Sequence, residues 1–157
     1  MTRYAENTTV SVEKSKAEIE KTLQRYGADQ FISGWDRSKA MIGFTMSGRQ
    51  IKFTLPLPDK TDSEFKETPT GKDRSEAAAL KEWEKACRQR WRALALVIKA
   101  KLEAVEVGIT TIEEEFMAHI MLPDGSTVGE FISPQIQLAY EKRTMPNLLP
   151  WGEGSGQ

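Results

Sequence analysis

The stretch from Ser75 to Val107 constrains this chain more than any other. Leu80, Trp83, Cys87, Trp91, Leu94, Ile98, Leu102 and Val105 recur at three- and four-residue spacing, which at about 100° per residue draws one apolar stripe along a helix. Ser75 supplies an N-cap and Gly108 an exit. A helix this long, rising about 1.5 Å per residue, outruns a small core and has to lie across a second layer. Its stripe must be buried against that layer. Lys81, Lys85, Arg88, Arg92 and Lys99 form another row, rotated by roughly a third of a turn.

The second layer is legible just upstream. Gln30–Trp35, Lys39–Met46 and Gln50–Leu55 read as three strands, separated by Asp36-Arg37-Ser38 and Ser47-Gly48-Arg49, turns short enough for antiparallel hairpins. Ala40, Ile42, Phe44 and Met46 face one way, as do Ile51, Phe53 and Leu55, while Gln50, Lys52 and Thr54 face the other. One side of the sheet is therefore core and the other polar. Thr9–Val12 has a β-branched character that suits a further short strand. Ser15 with Glu18 reads as a capping box opening a helix that ends at Gly27.

The organisation that follows is a single α+β domain over 1–157. It has a mobile arm (1–8), a β-α-β-β-β unit (9–58) whose antiparallel sheet has three to four strands and an inserted helix, and a flexible loop (59–74). One long amphipathic helix (75–107) covers the sheet, and a helical C-terminal part (108–143) and a tail (144–157) complete the chain. In the C-terminal part, Thr111 with Glu114 and Thr127 with Glu130 are further capping boxes, and Ser133-Pro134 suits a helix restart. A hairpin across Pro123–Gly125 is the competing reading of 117–131. The expected core is Ile19, Leu23, Ile42, Phe44, Ile51, Phe53, Leu55, Leu80, Trp83, Trp91, Leu94, Ile98 and Leu102.

The net charge of −1 hides a segregation: residues 72–102 carry nine Lys/Arg against four Asp/Glu, and residues 103–157 carry two against nine. A basic middle with an acidic end suits a local nucleic-acid surface, or an acidic part that docks on a basic helix of its own or another chain. No apolar run approaches the ~18 residues of a membrane span, and no signal-peptide core opens the sequence, so a cytoplasmic protein without a membrane partner is expected.

The chemistry on offer is narrow. One His and one Cys leave little for nucleophilic pairs. Gly27, Gly34, Gly43 and Gly48 read as turn or strand glycines rather than a phosphate loop. His119 with Glu115 has a metal-compatible i,i+4 spacing but no third ligand, and Cys87 on the apolar stripe reads as a buried hydrophobe. Paired carboxylates stay open. The expectation is a protein that is not an enzyme and uses no metal and no cofactor.

Several segments carry a resemblance: Tyr26-Gly27-Ala28 leading to Gly34-Trp35-Asp36, Arg49-Gln50-Ile51-Lys52-Phe53 with Leu55-Pro56-Leu57-Pro58, Arg90-Trp91-Arg92-Ala93-Leu94, Lys101-Leu102-Glu103-Ala104-Val105-Glu106, Leu122-Pro123-Asp124-Gly125 and Met145-Pro146. Across most of its length the chain resembles a group of small uncharacterised proteins of tailed temperate phages and prophages. The resemblance implies an accessory factor in a bacterial cytoplasm that handles phage DNA or counters a host system. It points to no particular residues.

The residues themselves point to the cationic row. Lys81, Lys85, Arg88, Arg92 and Lys99, extended by Arg37, Lys39, Arg49 and Lys52 from the hairpins, make a candidate contact for DNA or RNA phosphates. The blander reading is a solvated face with pairs such as Glu84 to Arg88. The alternative function is a protein-interaction module, either an inhibitor of a host defence enzyme or a self-assembling homo-oligomer. A sponge for an anionic nucleotide is a third. Trp83 and Trp91 read as structural, and Trp35 as an exposed ring.

Overall fold

The computed structural model describes residues 8–145. The expected tail residues Leu148, Leu149 and Trp151, and most of the N-terminal arm, lie outside them.

Helix α1 runs Val12–Arg25, with Ser11 as its cap accepting from the Lys14 N–H at 3.1 Å. Ser11 captures the helix start four residues before the expected Ser15–Glu18 box, and Ser15 is buried inside the helix instead. Thr9–Val12 consequently forms no strand, and among the described residues no strand precedes α1. The order over 9–58 is α-β-β-β, with the helix ahead of the sheet rather than inserted in it. Ile19 and Leu23 are its buried residues on the sheet side.

Strands β1 (Gln30–Trp35), β2 (Lys39–Met46) and β3 (Arg49–Pro56) form a three-stranded antiparallel meander in that order. The β2–β3 turn places Ser47 and Gly48 at φ 51° and 72°, the two left-handed residues that a type I′ hairpin demands. The register sets Phe44 opposite Ile51 and Ile42 opposite Phe53, so the alternation read from sequence becomes one continuous apolar face. The α+β class is therefore the observed one.

Segment 59–74, expected as a flexible loop, is folded. Helix α2 (Ser63–Lys66) buries Phe65, and the chain returns through a Glu67–Asp73 bridge, after which the Arg74 guanidinium donates to Glu64 O at 2.9 Å. One buried aromatic in a polar stretch is enough to pin the loop against the next helix.

Helix α3 (Glu76–Glu106, capped by Ser75) is the long helix. Its buried residues are Cys87, Trp91, Leu94, Ala95, Ile98 and Leu102. Leu80, expected in the core, is 45% exposed, and Trp83 is only half-buried.

Helix α4 (Ile112–Glu115) and a 3₁₀ turn (Met117–His119) bring Phe116 into the core, where it meets Phe44 and Phe53 edge-on at 5.8 and 6.1 Å. Both readings of 117–131 are partly realised: Met121 N–H donates to Gln50 O beside β3, and Met121 bridges Thr127 across the Pro123–Gly125 turn. Helix α5 (Val128–Lys142) then opens on the Thr127–Glu130 capping box and continues through Pro134 without restarting. It buries no residue and leaves Phe131, Ile136, Leu138 and Tyr140 exposed. No helix of the described residues is long and apolar enough to cross a membrane.

Candidate functional site

The α3 cations share one stripe of the helix, and the fold treats them unequally. Helix α1 packs along α3 and sets Glu18 against Arg92, whose guanidinium donates to that carboxylate. Arg88 turns into a cleft beside α1, where its Nε–H is buried without a partner. Lys81, Lys85 and Lys99 form no ion pair among the described residues. The row is thereby cut at Arg92: Lys81, Lys85 and Arg88 stand together on the amino-terminal side, and Lys99 stands alone beyond it.

The hairpin cations do not join them. Lys39 and Lys52 lie opposite Pro56 and Gly43 on the polar face of the sheet, away from α3, and Lys52 Nζ donates to Gly125 O at 3.3 Å. Arg49 pairs with Glu113 at 3.3 Å. Only Arg37, in the β1–β2 turn, reaches the same cleft as Arg88. The acidic run 113–115 answers cations elsewhere: Glu113 takes Arg49, and Glu115 accepts from Lys101 through both its carboxylate and its carbonyl at 3.1 Å.

The cleft holds roughly 880 Å³ between the start of α1, the β1–β2 turn, the Leu57–Thr61 segment and the amino-terminal half of α3. Three indoles wall it. Trp91 is buried; Trp83 is fixed by its Nε1–H donating to Pro58 O at 2.7 Å; Trp35 stands at the lip, 79% exposed. Lys60 sits 4.4 Å above the Trp83 ring and Lys16 4.9 Å from that of Trp91, so the protein's own ammonium groups already occupy these two faces by cation–π attraction.

Carboxylates balance the cleft's cations. Asp36 accepts from the Ser38 and Lys39 N–H groups, and the Ser38 bond foremost holds its carboxyl below the usual range. Asp59 is lowered likewise by the Thr61 hydroxyl and N–H. Each carboxylate shapes its own turn, leaving Glu13 and Glu84 as the cleft's other acids. The nearby Cys87 thiol is pushed up by burial, which disfavours the thiolate a nucleophile needs.

His119 stacks on Phe53 at 3.9 Å, and burial first, then Lys101, lowers its pKa. Glu115, one helical turn before it, is engaged by Lys101. Among the described residues no group of three or more His, Cys, Asp or Glu is placed to hold a metal ion.

Sequence reasoning missed the cleft because it assigned Trp83 to the lid of the sheet. The available signal was Leu57-Pro58, an apolar segment continuing past the end of β3 and needing something to cover it. No family model matches this chain, and neither a curated protein nor a solved structure similar to it was found.

Proposed function

We propose that this protein is a non-enzymatic nucleic-acid-binding accessory factor, of the phage type its sequence resembles, which holds a single strand against the amino-terminal half of α3. The observation that supports the reading is the grouping of Lys81, Lys85 and Arg88 on the amino-terminal half of α3, unpaired by any carboxylate among the described residues, with Arg88 reaching into a tryptophan-walled cleft. Cations neutralise phosphates without special geometry, so such a row accepts a strand of any sequence. The carboxylates in the cleft limit the electrostatic part. Three or four phosphate contacts give a salt dependence of log K with a slope of roughly −2 to −3 for a single strand.

Fluorescence anisotropy with labelled single-stranded and duplex oligonucleotides tests this. Binding of the single strand at low salt, weakened at least tenfold by a Lys81/Lys85/Arg88→Glu triple substitution, is the expected result. No binding at low salt overturns it. A second reading, a small anionic ligand such as a nucleotide held inside the cleft, is favoured by the buried, partnerless Arg88 Nε–H. Retention of a nucleotide through purification, seen by mass spectrometry, supports that reading over the first.

A further inference from the structure

The two edges of the sheet are finished differently. β3 carries Arg49, Lys52 and Pro56, and its outer edge is met by Ile120 and Met121. β1 is the other edge. Its sequence, Gln-Phe-Ile-Ser-Gly-Trp, contains no charge and no proline, the usual devices that stop an edge strand from pairing with another chain.

Its open main chain can be located. Asp36 N–H donates to Lys39 O at 2.9 Å and closes the hairpin. In antiparallel pairing the bonded positions then alternate, so Gly34, Ile32 and Gln30 address β2. Phe31, Ser33 and Trp35 direct their N–H and C=O groups outward, and none of these groups is bonded outside the sheet among the described residues. The side chains beside them are apolar and uncovered: Ile32 is 62% exposed and Trp35 79%.

We infer that β1 pairs with β1 of a second copy of this chain, joining two sheets into one continuous antiparallel sheet across a twofold axis. The strand is self-complementary in one register. With Ser33 on the axis, Phe31 faces Trp35 of the partner subunit, an aromatic cross-strand pair of the kind that stabilises sheets. Ile32 faces Gly34 of the partner subunit, and the space where a Gly34 side chain would lie is open. Asp29 falls beside Arg37 of the partner subunit, and neither residue has an ion-pair partner of its own among the described residues. Opposite charge at the two ends of a neutral strand selects antiparallel self-pairing over pairing in other registers. The same surface patch serves both copies, as a twofold interface requires. This inference does not depend on nucleic-acid binding.

Sedimentation velocity and light scattering on the full chain give the test. A dimer of twice the 17.7 kDa chain mass is expected. Ser33→Pro removes only an N–H that points to the open edge, so it is expected to yield a folded monomer whose far-UV circular dichroism matches that of the wild type. Ser33→Cys is expected to cross-link to its own copy under mild oxidation or with a short bifunctional thiol reagent, while the wild type, whose Cys87 is buried, does not. A chain that stays monomeric at every concentration overturns the inference. So does a dimer that survives Ser33→Pro, or one that Ser33→Cys cannot cross-link.

Discussion

The two halves of α3 obey the same sequence pattern and have different fates. From Trp91 to Leu102 the apolar stripe is buried, and of the neighbouring cations Arg92 and Lys101 are paired with Glu18 and Glu115 while Lys99 is not. From Leu80 to Arg88 the stripe is only partly covered, the cations have no carboxylate partner among the described residues, and the helix borders a cleft. The reason is length. A 31-residue helix extends about 46 Å, whereas the longest strands have 8 residues and span about 27 Å. The sheet can close over only part of the stripe. The remainder meets the thinner cover of α2 and the 57–61 segment, and the gap left there is the candidate site.

Substitutions along the stripe sharpen that contrast most strongly. Trp91→Ala removes a buried ring in the closed half and is expected to cost about 3–5 kcal/mol, read by chemical denaturation. Leu80→Ala in the open half is expected to cost less than about 1 kcal/mol, since much of that side chain already meets water. Equal losses would mean that both halves are packed alike.

The next effect concerns His119, behind the closed half. Burial and Lys101 make the folded protein bind its proton more weakly than the unfolded chain does. Stability is therefore full above the ordinary imidazole range and declines as pH falls below about 6.5. Asp36, Asp59 and Asp124, whose pKa values are lowered, add losses only in more acidic solution, below about 4. Melting temperatures between those limits are expected to fall with pH in the wild type and to flatten in His119→Phe, which keeps an aromatic ring against Phe53.

The smallest expected effect tests the cut in the cationic row. The Arg92 and Glu18 side chains keep 23% and 38% of their exposure, so Glu18→Gln is expected to cost about 1 kcal/mol or less. If Arg92 then becomes available to phosphates, oligonucleotide affinity rises by a few-fold.

How much of this was legible beforehand follows from the range of each signal. Alternation in β2 and β3 and the spacing along α3 are local, so the strands, the helix limits and most of the core could be read directly. Ser15 lies one turn before Ile19 on the buried face of α1, so packing takes it into the helix and Ser11 caps instead, a tertiary matter. Segment 59–74 read as a flexible loop because the helix that buries Phe65 packs on α3 and not within the segment itself. The aligned cations were visible on a helical wheel, but a wheel does not show that α1 crosses them at Arg92. It also does not show that the sheet puts Lys39 and Lys52 on the opposite side of the molecule. The candidate site was thus half legible: its charges were, its walls were not.

Hydrogen exchange along α3, with and without a single-stranded oligonucleotide, tests the central claim most directly. Amides from Leu80 to Arg90 are expected to exchange faster than those from Trp91 to Leu102 in the free protein, because few buried contacts hold that half closed. They are expected to slow when the oligonucleotide is added, while the Trp91–Leu102 amides stay as they were. Uniform protection along the helix, unchanged by the oligonucleotide, would contradict the account.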